Sequence, residues 1–336
     1  MSTNRKLGIS FVMPVRNEAK HLEAAVASVL AQKHKGGSEL ILALAPSSDG
    51  TAAIAAGLKQ KLGTKLKIVD NQAGDTATGL NLAISKANYE TVIRVDAHSK
   101  LSDGYAARAQ EALQETNAAN VGGMMVAIGE SEFQKAVAYG YNNRIGLGGG
   151  SFHVGGKAGP AESVYLGCFQ KRWLEKVGGF DPKWVRGQDW ELNKRISEAG
   201  GTIWFDPSLK VFYYPRASWS ALAKQFFNTG VWRGALTREA PGRSAIRYWV
   251  PPLLVVSTLL WLPVTLYLLV IAFAAMNAGE LKPATRLWLM IVLPTMHYAW
   301  GTGFWWGLAR GASWPLLVVF TRDLPGPHHL QFLHSR

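Results

Sequence analysis

The 336-residue chain holds a single cysteine, Cys168. An intramolecular disulfide is therefore excluded, as is any metal site built from several thiolates, and a reducing compartment is the simplest expectation. Charge is also scarce: Asp, Glu, Lys and Arg make up 18% of the residues, against roughly a quarter in an ordinary globular domain, while 48% are hydrophobic. That balance excludes disorder as the main state. Acids are the scarcer sign. The 36 Lys and Arg exceed the 23 Asp and Glu to leave a net charge of +13, which calls for an acidic partner: nucleic acid, an anionic membrane surface or a phosphorylated substrate. Nor is a secretory signal expected, because Arg5 and Lys6 precede only a short apolar run from Ile9 to Val12. The length allows one large domain with an appendage, or two domains.

Charge almost disappears after residue 247. Residues 248–336 hold five Lys or Arg and two acids. From Trp249 to Met276 there is none, and about 20 apolar residues suffice to cross a bilayer core, so this stretch reads as a transmembrane helix. A second uncharged stretch, Leu287 to Ala309, carries Trp288, Trp300, Trp305 and Trp306 and is flanked by Arg286 and Arg310, which suits interfacial anchoring. The competing reading is a pair of buried core helices. Pro294 and His297 favour it for the second stretch, since both cost energy in lipid unless protein or water covers them. Two spans would return the C-terminus to the starting side, and Arg238, Arg243 and Arg247 place that side in the cytoplasm of an inner (plasma) membrane. A third run, Trp314 to Phe320, is too short to span.

The first 247 residues alternate in period. Ile9 to Met13 is a short apolar run ending at Pro14, and the segment Asn17 to Gln32 carries Leu22, Val26, Val29 and Leu30 at helical spacing. Leu40 to Ala45 repeats the strand, SSDGT supplies turn and capping chemistry, and Ala52 to Leu62 the helix. Leu66 to Val69, Thr78 to Ala87 and Thr91 to Val95 continue the series. This β-α-β-α-β-α-β order predicts a parallel α/β sheet, whose ligands bind at the carboxyl ends of the strands, near Pro14 to Glu18, Ala45 to Asp49, Asp70 to Asn71 and Asp96 to His98.

RVDAHS, Arg94 to Ser99, delivers Asp96 and His98 one residue apart at the end of a strand, and alternate residues of an extended chain point the same way. A carboxylate and an imidazole side by side suit a divalent ion whose shell substrate phosphates complete; a helix cap and a surface histidine are the plain alternative. GQDWE places Asp189 and Glu191 at the start of a helix running to Ala199, where acids also serve simply as dipole partners. GGGSFHVGG, Gly148 to Gly156, lacks the lysine of a phosphate loop and the strand-to-helix setting of a dinucleotide fingerprint, and reads as a mobile loop.

PVRNEAKHLEAAVASVLAQ, SSDGT, GLNLAISKANYETVIRVDAHS, GCFQKRWLEKVGGFDP and GQDWELNKRISEAG follow one another in an order and spacing that resemble the family 2 glycosyltransferases, over roughly residues 8–235. The DAH triplet and the two C-terminal apolar runs look like the subgroup of succinoglycan-assembly glucosyltransferases. The resemblance implies a GT-A nucleotide-sugar-binding domain, Rossmann-like with a mixed central sheet, a nucleotide-sugar donor such as a UDP-hexose, Mn²⁺ or Mg²⁺, and inversion at the anomeric carbon. Carried over, Pro14, Arg16, Asn17, Glu18, Asp49 and Asp96 bind the donor, Asp96 and His98 hold the metal, and Asp189 is the catalytic base. Gly167, Cys168, Gln188 and Trp190 lie on the acceptor side. The sequence departs from the family at Leu44 and Ala45, where paired aspartates are usual, so nucleoside recognition falls to groups such as Asp70 and Asn71. It also lacks the Gln-x-x-Arg-Trp of processive synthases, which favours addition of one sugar per encounter.

Between Ser218 and Arg247, Trp219, Leu222, Phe226, Phe227, Val231, Trp232 and Leu236 recur at near-helical spacing among Lys224, Arg233 and Arg238. Basic amphipathic helices of this kind lie in headgroups, so Trp219, Phe226, Phe227, Trp232 and Arg233 are expected at the membrane interface, unless the helix packs on the catalytic domain. The expected organisation is a catalytic domain over 1–217, this segment over 218–247, two spans over 248–310 and a tail over 311–336. Its expected partners are the donor, a polyprenyl-diphosphate-linked saccharide acceptor and the lipid bilayer. Transfer to a polyprenyl monophosphate and a catalytically degenerate membrane scaffold stand beside this reading. No nucleic-acid-binding module is recognisable.

Overall fold

The computed structural model describes residues 7–184, 187–239 and 246–311. Arg5, Lys6, Arg243, the run 314–320 and the tail from 312 onward lie outside the described residues. In chain order the elements are β1 (Gly8–Val15), α1 (Leu22–Leu30), β2 (Gly37–Leu44), α2 (Thr51–Leu62), β3 (Leu66–Asp70), α3 (Thr76–Ser85), β4 (Thr91–Arg94), β5 (Ser99–Leu101), α4 (Tyr105–Thr116) and β6 (Asn120–Ala127). These are followed by α5 (Glu132–Asn142), α6 (Arg144–Leu147), α7 (Ser151–Val154), β7 (Gly159–Pro160), β8 (Tyr165–Gln170), α8 (Lys171–Lys176), α9 (Gln188–Glu198) and β9 (Ile203–Tyr213). The last helices are α10 (Trp219–Glu239), α11 (Val250–Ser257), α12 (Trp261–Asn277) and α13 (Pro283–Arg310).

The sheet runs β3-β2-β1-β4-β8-β6-β9-β5, with β7 paired to β9. β1 to β4 are parallel, as their β-α-β order dictates, whereas β8 runs antiparallel to both β4 and β6, which makes the sheet mixed. β1 is buried on both faces. Phe11 and Met13 join Leu22, Leu40 and Tyr105 on one side, and Val12 joins Ile41, Leu80 and Phe205 on the other, which is why the strand reads as a continuous apolar run. The helix expected from Asn17 starts only at Leu22. Asn17 is held at φ 51° and the loop after it spends its amides on neighbouring loops, so the first turn cannot form there.

The C-terminal helices depart from the expectation of two uninterrupted spans. Over Trp249–Met276 the chain is broken at residues 258–260 into α11 and α12. Pro263 explains the break: it has no N–H to give the carbonyl four residues earlier, and its ring crowds that carbonyl. At 1.5 Å per residue the 17 residues of α12 measure about 26 Å, short of the roughly 30 Å of a bilayer core. The second stretch lies inside α13, one face of which packs on protein while Leu287 and Ile291 stay exposed. On its N-terminal half Phe133 of α5 meets Trp288 edge-on at 5.3 Å, and Glu132 accepts from Thr285. On its C-terminal half Gly230 and Gly234 of α10 face the backbone at Trp300 and Phe304, and Gly303 and Gly307 face Phe227 and Val231, so close that a Cβ at any of the four would strike a carbonyl. His297 is fully satisfied: Tyr267 Oη donates to Nδ1 at 2.8 Å, and Nε2 donates to the carbonyls of Ile145 and Gly146 at 2.8 and 3.0 Å. Among the described residues no helix is long and apolar enough to cross a membrane.

The amphipathic segment does form a helix, α10, but Phe226 and Trp232 do not face lipid. They are 4% and 5% exposed, Phe226 against Tyr141 and Trp232 against Trp184. The apolar stripe finds its partners in α13 and the catalytic domain. Phe227 is half-buried, and Trp219 stays 55% exposed while its indole donates to Thr295 Oγ1.

Candidate active site

The carboxyl ends of β1, β2 and β3 are tied into one platform. Asn17 N donates to Ser47 Oγ at 3.1 Å, Ser48 N to Asn17 Oδ1 at 2.9 Å and Glu18 N to Thr51 Oγ1 at 2.8 Å. Asp49 accepts from Ala19 N at 3.1 Å and from Thr51 Oγ1 at 2.5 Å; that Thr51 bond chiefly holds its carboxyl below the ordinary range. Arg16 Nη1 donates to the Gly74 carbonyl at 3.1 Å, which ties in the loop after β3. Pro14 lies in β1, paired with Ala43. Asp70 is exposed and accepts from Gln72 at 2.6 Å, whereas Asn71 is buried and braces Asp75 O at 2.9 Å through Nδ2. Among these, Asp49 and Asn71 hold the loops themselves; Asp70 faces solvent.

β4 ends by presenting three side chains. Arg94, buried at 5% exposure, forks between two acids: Nε and Nη2 reach Asp96 Oδ1 at 3.1 and 3.0 Å, and Nη1 donates to Asp189. Its guanidinium lies 5.8 Å from the centroid of Phe180. Burial works against the charge of Arg94, but Asp189 and Asp96 outweigh it and raise its pKa. His98 Nδ1 meets Glu18 Oε1 at 2.7 Å. Burial disfavours the imidazolium, yet the Glu18 bond and Asp96 together raise the pKa of His98.

Asp189 is the second residue of α9, which opens immediately after Gly187, whose φ of 74° turns the chain into the helix. Its carboxyl is pushed up to about 6, first by burial and then by Asp96, with Arg94 opposing. Side-chain bonds fix the helix that carries it. Glu191 receives both Nε and Nη2 of Arg195, at 2.5 and 2.7 Å, and Arg195 also donates to the carbonyls of Val177 and Gly179. Asn81 of α3 grips Phe180 from both sides, accepting from its N–H at 2.8 Å and donating to its carbonyl at 2.7 Å. Glu191 is thus an anchor.

On the expected acceptor side the structure separates the residues. Gln188 and Trp190 flank Asp189 and are partly exposed. Gly167 and Cys168 are not at the cleft: Cys168 is 0% exposed in β8, burial pushes its thiol pKa up, and Gly167 at φ 121° packs against Asn120 and Phe169. The β8 side chain that meets the acids is Tyr165, whose pKa is raised by burial and then by Asp96. Arg94 and Tyr165 escaped sequence reasoning. Arg94 left a signal, since a charge closing the buried strand TVIR demands a partner.

Asp96 and His98 stand in a turn after β4, closed by Ser99 N donating to Asp96 O at 3.0 Å, rather than on an extended chain, and their donor types suit a divalent cation. Glu18 holds Nδ1 of His98, which leaves Nε2 as the ligating atom, the arrangement commonly found behind metal-bound histidines. Arg94 takes only Oδ1 of Asp96. Among the described residues no group of three or more His, Cys, Asp or Glu could hold a metal ion, so two protein donors would leave the remaining positions to water and substrate oxygens, as suits Mg²⁺ or Mn²⁺.

Comparison with known proteins identifies the family. The model of "Glycosyl transferase family 2" matches residues 10–177. The chain is 30% identical over 308 residues to the succinoglycan biosynthesis protein ExoA of Rhizobium meliloti (strain 1021), covering 88% of this chain and 93% of that one. It is 26% identical over 319 residues to a Methanococcus voltae dolichyl N-acetyl-alpha-D-glucosaminyl phosphate 3-beta-D-2,3-diacetamido-2,3-dideoxy-beta-D-glucuronosyltransferase, covering 91% and 98%. Among solved structures, the mannosyltransferase PcManGT of Pyrobaculum calidifontis, in complex with GDP-Man and Mn²⁺, shares the fold with a TM-score of 0.58 at 16% identity, over 91% of this chain and 88% of that one. The chain belongs to glycosyl transferase family 2 and is a glycosyltransferase of mixed α/β, GT-A-like fold.

Proposed function

We propose that this glycosyltransferase moves one sugar, with inversion, from a nucleotide-sugar donor such as a UDP-hexose to a hydroxyl of a polyprenyl-diphosphate-linked saccharide. The observation that carries the reading is the placement of Asp189: a carboxylate with a pKa near 6, reachable by solvent over 29% of its side chain, beside the Asp96–His98 pair. A base of that strength is largely ionised at neutral pH and can still take a proton. Asp189 accepts the proton of the acceptor hydroxyl as that oxygen attacks the anomeric carbon from the face opposite the departing nucleoside diphosphate. Arg94 holds Asp189 in place and keeps the neighbouring Asp96 from repelling it. Asp96 and His98 would hold Mn²⁺ or Mg²⁺, which when bound neutralises charge on the leaving diphosphate. The platform of Arg16 to Glu18 and Asp49 shapes the floor on which the nucleotide lies, with Asp70 as the exposed polar group at its edge.

Attachment to a bilayer is part of the proposal. Leu259, in the break between α11 and α12, and Trp261, Leu269, Phe273 and Met276 of α12 are 61–87% exposed, an apolar face of the kind that marks a membrane or protein contact. That face supports a catalytic domain held on the cytoplasmic side of the inner membrane, where the lipid-linked acceptor lies. The names of the relatives, one in succinoglycan biosynthesis and one acting on a dolichyl phosphate sugar, agree with such an acceptor. The test is to incubate the full chain in membranes with a panel of nucleotide sugars, Mn²⁺ or Mg²⁺ and a lipid extract, and to follow label into the lipid phase. Incorporation from one donor is expected; none from any donor would refute the reading and favour a degenerate scaffold.

A further inference from the structure

Where α9, α10 and the start of α11 meet, two guanidinium groups gather round one ring. Arg233 of α10 has Cζ 5.0 Å from the centroid of Trp190 and 4.0 Å from that of Tyr248. Among the described residues no carboxylate lies within ion-pair distance of it. Arg247 has Cζ 4.7 Å from the same Tyr248 ring, and its Nη2 donates to Tyr248 Oη at 3.1 Å and to Glu162 Oε2 at 2.8 Å. Glu162 is 67% exposed, so the one acid near two arginines is the solvated, readily displaced kind. Burial, with Arg247 adding to it, draws the pKa of Arg233 below its ordinary value. Ring faces offset only part of the cost of a half-buried charge, and an anion would offset the rest.

We infer that Arg233 and Arg247, gathered on Tyr248, form a subsite for a phosphate of the lipid-linked acceptor; this rests on the lipid-linked acceptor proposed above. Two features set the class of ligand. Trp190, under Arg233, directly follows Asp189 in α9, so the arginine pair packs on the helix that carries the proposed base. On the other side Tyr248 leads into the apolar surface of Ile246, Val250 and Leu253, exposed at 87%, 64% and 56%, where a hydrocarbon chain on that phosphate would run. Planar guanidinium groups bind phosphate oxygens in pairs, which lysine cannot do.

The test uses the full chain in detergent micelles with farnesyl diphosphate as probe, and inorganic pyrophosphate and uridine diphosphate with Mn²⁺ as comparisons. Arg233→Gln and Arg247→Gln are each expected to weaken farnesyl diphosphate tenfold or more and to leave uridine diphosphate within twofold. Unchanged farnesyl diphosphate affinity overturns the subsite. Equal weakening for uridine diphosphate overturns it too, by assigning the arginines to the donor, and so does pyrophosphate binding as tightly as farnesyl diphosphate, which marks a free-anion site. If Arg233→Gln fails to fold by circular dichroism, Arg247→Gln decides, because Arg247 is 44% exposed and its loss leaves no buried partner. Sugar transfer followed in the same preparations separates the two claims: transfer with arginine-independent probe binding sinks the subsite alone, and arginine-dependent binding without transfer from any donor sinks the proposed reaction alone.

Discussion

Arg94 decides the chemistry of its neighbours because it is one buried cation shared by two acids. Replacing it with Gln removes the group that opposes the upward shift of Asp189. The acid limb of the kcat profile, expected near pH 6 and falling about tenfold per unit below it, should then move to higher pH. A limb that stays put in Arg94→Gln would show that Asp189 is not the titrating base. Glu39 gives a residue-scale test of stability. Burial opposes its ionisation, but Lys67 at 2.6 Å, Ser10 at 2.7 Å and the Asn88 amide outweigh burial and lower its pKa. A depressed carboxyl stabilises the fold above its unfolded pKa and loses that contribution as pH falls through the folded one. Glu39→Gln should therefore lower the melting temperature at neutral pH and flatten its decline on the acid side; an unchanged acid decline would assign the loss to other carboxylates. Asp96, His98 and Asp189 stand out as candidates in the sequence because they lie at a strand end and a helix start. It hid Tyr165, which looks like one more sheet aromatic until β8 is seen antiparallel beside β4.

At the scale of elements, α9 must be rigid for Asp189 to serve as the proposed base. Asn81 and Arg195 supply that rigidity without touching the site. Asn81→Ala should cost about 1–3 kcal/mol of stability, since it leaves a buried N–H and carbonyl unpaired, and should lower kcat more than donor affinity. Loss of donor affinity alone would place the effect on the nucleotide platform. The β-α series of the first half was readable because each short strand is apolar and each helix has its own cap or period. The fate of the C-terminal half was not, because a run of apolar residues says that water is excluded and not what excludes it. Pro263 breaks one expected span, and the glycines of α10 and α13 let two backbones meet where lipid was expected. Phe226, Phe227 and Trp232 carry the same ambiguity. Gly307→Val should separate α10 from α13 and lower the melting temperature by several degrees, as a Cβ there strikes the Val231 carbonyl; an unchanged melt would mean the helices do not touch.

For the whole molecule, the net charge of +13 and the apolar excess have separate homes. The apolar excess lies on α11 and α12, and part of the positive charge gathers where α10 meets α11. The proposed base, arginine pair and apolar platform all fall in the chain's second half, from residue 189 onward. Charging that platform, as in Leu259→Glu with Phe273→Glu, should release the protein from vesicles of anionic phospholipid while leaving nucleotide binding intact; unaltered vesicle binding would move the attachment elsewhere. The central claim is that Asp189 deprotonates the acceptor. The measurement that tests it most directly sets wild type beside Asp189→Asn, reading donor binding and sugar transfer into the lipid phase in one preparation. The account predicts donor affinity within about threefold and transfer lowered by roughly 10³ or more, the upper part of the range for a lost general base; transfer retained within tenfold at unchanged donor affinity would contradict it.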